Sequence, residues 1–157
     1  MIIQIDDWKF QVFTVSNRRY YAREAAEHCT CGYCENYYRA ASLAYPGLHE
    51  FLARFGIKLD GPSEMYPIEP TLYLAGYRVF GQVETYGKSP MMVDGVPVSA
   101  EPVDDVHFML EIGEMPLPWM LEEDPDEVVS PANEPEFLEK MYLKMLKRNA
   151  YSGFISS

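Results

Sequence analysis

Apolar and polar residues alternate from the start of the chain: Ile2, Ile3 and Ile5, then the Asp6-Asp7 pair, then Trp8, Phe10, Val12 and Thr14 on one side of a second run. A period of two marks half-buried strands, and a pair of acids between two such runs suits a turn, so a β-hairpin or two short strands are predicted. Residues 16–27 mix polar and aromatic positions, with Tyr20, Tyr21, Ala25 and Ala26, and fit a loop or a short helix equally.

From Cys34 the period becomes helical. Tyr37, Ala41, Ala44, Leu48, Phe51, Leu52 and Phe55 recur at spacings of three or four, the single stripe of an amphipathic helix. Pro46 interrupts it. Proline inside a helix loses a hydrogen bond and costs ~3 kcal/mol, whereas at a helix start it costs little. Two helices are therefore expected, over 34–44 and 46–55, the second ended by Gly56 with Ile57 placed for the apolar contact of a Schellman motif.

Asp60-Gly61-Pro62 opens what reads as a linker through Met65, Pro67 and Pro70, followed by β character over 72–84, where Gly76 and Gly81 suggest a tight turn or bulges. Asp94-Gly95 between Met91-Met92-Val93 and Val96-Pro97-Val98 is the strongest local signal, a type I′ hairpin whose second arm Pro97 would confine to a sheet edge. Val106, Phe108, Leu110 and Ile112 alternate with His107, Met109 and Glu111 as a half-buried strand. Residues 115–131 are proline-rich, acidic and irregular around Trp119, and Asn133 with Glu136 forms a capping box ahead of an apolar stripe from Phe137 to Leu146. This order, with no regular βαβ alternation, predicts an α+β fold: a mainly antiparallel sheet packed with two to four helices, as one globular domain over 1–157 with any sub-boundary near 60–70.

Size and composition support such a core. A chain of 157 residues, 48% hydrophobic and 14% aromatic, buries roughly 68 to 70% of its unfolded surface without disulfides. The first ten residues carry acids before any base and no long apolar run, no stretch approaches a membrane span, and three cysteines cannot pair completely, so a reduced, cytoplasmic protein is expected. The net charge is −11, and residues 89–139 hold 14 acids with no Lys or Arg. Such a field repels a phosphate backbone, which excludes nucleic acid as the expected partner and favours a basic protein. The candidate contact residues are Asp104, Asp105, Glu122, Glu123, Asp124, Asp126, Glu127 and Trp119.

One concentrated chemical feature remains, His28-Cys29-Thr30-Cys31-Gly32-Tyr33-Cys34, just before a predicted helix. Three thiolates with a histidine make a tetrahedral zinc set, with Cys29, Cys31, Cys34 and His28 as ligands and His49 as the other candidate for the fourth place. Cys31 and Cys34 at a helix start also suit thiol exchange, although charges and alanines stand where a hydrophobic strand should lead in. The third reading is that of reduced cysteines packing the helix start. No dinucleotide fingerprint, Walker sequence, zinc-protease pair, deaminase pattern or nucleophile elbow occurs, so no catalytic residue is assigned.

The run Cys29-Thr-Cys31-Gly-Tyr-Cys34-Glu-Asn36-Tyr37, with Pro46-Gly-Leu-His-Glu-Phe51-Leu, Phe55-Gly-Ile57 and Gly76-Tyr-Arg-Val-Phe-Gly81, resembles a group of small bacterial proteins with no assigned activity. The resemblance spans residues 1–112 and implies a stand-alone cytoplasmic protein, without transferring a site. The two expectations are thus an immunity- or inhibitor-like interaction module with an acidic face and no cofactor, and a small zinc-binding or thiol-redox protein built on Cys29, Cys31 and Cys34.

Overall fold

The opening alternation does form a hairpin: β1 (Ile2–Ile5) pairs antiparallel with β2 (Trp8–Val12), Ile5 opposite Trp8. Asp6 takes the left-handed conformation that the tight turn needs, φ +53°. This computed structural model describes residues 1–24, 29–125 and Leu143. The ambiguous stretch after β2 is helical, α1 (Thr14–Glu24), and the Pro46 break separates α2 (Gly32–Ala44) from α3 (Pro46–Arg54). Gly56, at φ +82°, closes α3 as a Schellman motif: the Ile57 amide donates to Leu52 and the Gly56 amide to Ala53. The capping box at Asn133 and, apart from Leu143, the helix expected after it lie outside the described residues.

The strands are β3 (Glu64–Glu69), β4 (Leu72–Thr85), β5 (Met91–Val93), β6 (Val96–Pro102) and β7 (His107–Pro116). They make one seven-stranded antiparallel sheet in the order β1-β2-β4-β7-β6-β5, with β3 also on β4. Together with the three helices among the described residues this is an α+β fold. β4 is its axis. One of its edges pairs with β7 from Leu72 to Phe80, and the other is shared, β3 taking Leu72–Gly76 and β2 taking Gly81–Thr85. Gly81 makes the sharing feasible: a Cβ there would lie 2.1 Å from the Gln11 carbonyl oxygen, and φ is +151°.

Three expectations are corrected. The linker near 60–70 contains β3, and Pro67 is tolerated there because among the described residues β3 pairs with β4 alone, leaving its other edge without a ladder to interrupt. Pro97 does not confine its arm to an edge, since β6 runs between β5 and β7. In a two-residue hairpin Val93/Val96 is the hydrogen-bonded pair, so the Pro97 nitrogen faces the β7 side, where pairing begins only at Val98. β7 is buried on both faces over Phe108–Ile112 instead of on one.

One sheet face carries the core. Tyr73, Ala75, Tyr77 and Val79 of β4 line up with Ile112, Leu110 and Phe108 of β7, and α2 and α3 add Tyr37, Ala40, Ala41, Leu48, Leu52 and Phe55. The packing is aromatic: Phe10 stacks on Phe108 at 5.4 Å and meets Phe55 edge-on at 5.5 Å. Two phenols inside this layer, Tyr37 and Tyr77, hydrogen-bond each other at 2.5 Å, and Tyr77 donates to the Leu59 carbonyl. Burial holds both well above the ordinary tyrosine range, so they stay protonated. The hairpin turn reaches over to cap α3, Asp94 Oδ2 accepting the Leu48 amide at 3.0 Å.

Asn17 of α1 ties three elements. Fully buried, it donates to the Phe55 carbonyl at 2.8 Å and accepts the Phe80 amide at 2.7 Å. Asn17→Ala should therefore cost about 2–3 kcal/mol, because it strands a buried donor and a buried acceptor. The check is urea denaturation. Asp94→Ala, which removes one part-buried cap bond, should cost only about 1 kcal/mol in the same assay, and the reverse ranking would contradict this reading of the core.

Candidate metal centre

The start of α2 brings the cysteines together. Cys31 is the residue before the first helical turn, its backbone extended at φ −65° and ψ +160°, and Cys34 is the third residue inside the helix. A side chain at the cap position and one three residues on meet at the helix mouth, the geometry that a capping box uses. Cys29 folds back onto them: the Cys31 amide donates to Cys29 Sγ at 3.4 Å, and Tyr38 Oη donates to the Cys29 carbonyl at 2.9 Å. All three sulfurs lie within 4.8 Å of one another. Cys29 is exposed, and Cys31 and Cys34 are half-buried.

The two helix-start thiols differ in character. Cys31 is pulled down to about 5, first because the Cys34 thiol donates to its sulfur, against the opposing effect of burial, with the Cys34 and Tyr33 backbone amides adding to it. Those amides favour the anion without a formal side-chain cap bond. Cys34 moves the other way, held up by that same hydrogen bond and by burial. The pair thus offers one thiolate and one thiol that donates to it.

A fully buried asparagine fixes this helix end to the rest of the molecule. Asn36 Nδ2 donates to Tyr73 Oη at 3.0 Å and to the Pro118 carbonyl at 3.1 Å, and its Oδ1 accepts the Met120 amide at 2.7 Å. The segment leaving β7 is thereby laid along α2. Trp119 meets Tyr33 edge-on at 5.8 Å and donates to the Glu123 carbonyl at 2.7 Å. Between the two walls lies an open cleft of about 740 Å³, with Thr30, Gly32, Glu35 and Arg39 on one side and residues 120–123 on the other.

The candidate residues are thus distributed unevenly. Cys29, Cys31 and Cys34 converge, while His28 lies outside the described residues, as do Asp126 and Glu127. His49 is exposed on α3 and does not join the group, and among the described residues no further His, Cys, Asp or Glu does so. Trp119 meets Tyr33 of α2, and Glu122 and Glu123 line the cleft with Thr30, Gly32, Glu35 and Arg39, a lining that includes none of the cysteines; Asp124 is exposed next to them. Asp104 and Asp105 sit at the opposite end of β7, where the Asp104 carboxylate accepts the Val106 and His107 amides and pairs with His107 Nδ1 at 2.9 Å, closing the turn. Asn36, Tyr38 and Arg39 were not singled out from the sequence as site residues. An asparagine beside Tyr37 in an apolar helical stripe is the signal that could have found Asn36, since a buried amide must find partners.

The chain matches no family model, no curated protein and no solved structure. Among the described residues no helix is long and apolar enough to cross a membrane.

The thiol asymmetry predicts an order of modification. In metal-free protein, iodoacetamide should label Cys31 before Cys34, and the Cys31 rate should fall only as pH drops toward about 5, because its thiolate is the stabilised form above that value. Mass mapping of the labelled peptides at stepped pH is the check. Labelling of Cys34 first, or a Cys31 midpoint at the free-thiol value of about 8.5, would contradict the arrangement.

Proposed function

We propose that this is a small zinc-binding protein whose metal is held by the thiolates of Cys29, Cys31 and Cys34. The observation that supports it is the mutual approach of the three sulfurs to within 4.8 Å at a helix start. Zinc–sulfur bonds of about 2.3 Å in a tetrahedron put sulfurs about 3.8 Å apart, so side-chain rotations of roughly an ångström complete the set. Thiolates are soft donors, which favours zinc over magnesium or calcium. A disulfide would use two of the sulfurs and leave the third; a metal uses all three.

The metal in this reading is not what holds the domain together. Tyr37, Tyr73, Tyr77, Phe10, Phe55 and Phe108 are buried against one another, whereas the cysteines stand on the rim. Protein prepared without chelator should carry about one zinc per chain by elemental analysis, falling below a tenth of that in Cys31→Ser and Cys34→Ser. After chelation it should still melt cooperatively, at a lower temperature. A metal-free wild type, or zinc content unchanged in both variants, would overturn the proposal.

A second reading, an interaction module for a basic protein, draws on the exposed carboxylates of Glu122, Glu123 and Asp124 beside Trp119. Association with a basic protein that weakens steeply between low and physiological salt would favour it, and salt-independent association would count against it.

A further inference from the structure

Cys31 and Cys34 belong to one turn of α2. The Cys31 carbonyl accepts the Glu35 amide at 2.9 Å, so Cys31 already lies on the helical spiral, and Cys34 is the third residue inside it. Three steps along that spiral separate Cα atoms by about 5 Å, inside the range of roughly 4.4–6.8 Å that disulfides span. The two sulfurs lie within 4.8 Å, so a bond of about 2.05 Å needs an approach of less than about 3 Å, within reach of side-chain rotation. Both thiols are half-buried at the rim of the fold, open to a small oxidant. Cys29 precedes the turn, and its sulfur accepts the Cys31 amide at 3.4 Å.

A metal that uses all three sulfurs and a disulfide that takes two of them exclude each other. The buried cluster is aromatic and aliphatic, with the cysteines at its edge, so the fold does not depend on which state the thiols are in. We propose that the triad is a peroxide-sensitive switch on the metal: hydrogen peroxide joins Cys31 to Cys34 as a disulfide, and the zinc, deprived of two of its three thiolates, is released. The release rests on the zinc reading above. The Cys31 thiolate attacks one oxygen of the peroxide, the O–O bond breaks, and the departing hydroxide takes a proton from solvent to become water. Cys31 is then a sulfenic acid. The Cys34 thiolate attacks its sulfur, the S–S bond forms, the S–O bond breaks, and the second hydroxide is protonated to water. The two sulfurs lose two electrons, the peroxide gains them, and zinc leaves as the divalent ion that it was.

The full chain, loaded with zinc and freed of reductant, is treated with a small excess of hydrogen peroxide. A chromogenic chelator reads free zinc against a sample without peroxide, and alkylation followed by peptide mass mapping locates the bond. One zinc is expected to leave for each Cys31–Cys34 bond formed, at least tenfold faster than without peroxide, and a phosphine reductant with added zinc should restore the starting content. Metal-free Cys29→Ser should still form the bond. Adding Cys34→Ser to that variant should leave Cys31 as a sulfenic acid that dimedone labels at least tenfold more strongly. Zinc retained in the presence of peroxide, a bond that maps to Cys29, or sulfurs carried on to sulfinic acid with no bond between Cys31 and Cys34 would overturn the switch. Protein that carries no zinc before peroxide is added would instead overturn the metal reading, and with it the release.

Discussion

Asn36 is the interaction on which the site is built. Its amide holds Tyr73 of β4, the Pro118 carbonyl and the Met120 amide at once, so one side chain sets how α2 lies against the sheet and where the segment after β7 lies against α2. Asn36 itself is fully buried, and leaving its amide unsatisfied would cost about 1–3 kcal/mol. Hydrophobic packing of Tyr37, Ala40 and Ala41 supplies most of the adhesion between helix and sheet but is tolerant of sliding. A side chain with three directional bonds is not. The cleft has two walls in a defined relation because the same residue touches both.

The molecule separates stability from chemistry. Its stability comes from an aromatic layer around the central strand β4, with phenols kept neutral by burial and satisfied by one another or by backbone carbonyls. The candidate chemistry sits at the start of α2, on side chains at the rim of the core. The helix start provides amides that favour an anion on Cys31, and the two-residue gap to Cys34 gives that anion a donor when no metal is present. In the proposed zinc reading, metal would replace that donor and recruit Cys29, whose sulfur already accepts the Cys31 amide.

Much of the fold was legible because the local signals were chemical rather than statistical. Asp-Gly at 94–95, proline at 46 and glycine at 56 each require one backbone conformation, and each is found in it. What sequence left hidden depended on neighbours. Pro67 argued for a linker until β3 proved to pair with β4 alone among the described residues, and Pro97 argued for an edge because it lacks an N–H, yet it is tolerated inside the sheet because its nitrogen faces the β7 side before that ladder begins at Val98. The second buried face of β7 could not be read from its alternation, since Met109 and Glu111 carry no mark of what covers them. At the site, the spacing of Cys31 and Cys34 was legible as a helix-start pair. That Trp119, Glu122 and Glu123 would lie along α2 follows from Asn36, eighty and more residues away in the chain, and no local pattern encodes it.

The central claim is that three thiolates of this chain hold one zinc, and X-ray absorption at the zinc edge of the full-length protein measures this directly. The account predicts three sulfur neighbours at about 2.3 Å and one lighter oxygen or nitrogen neighbour near 2.0 Å. A first shell made only of light neighbours, with no sulfur contribution, would contradict it.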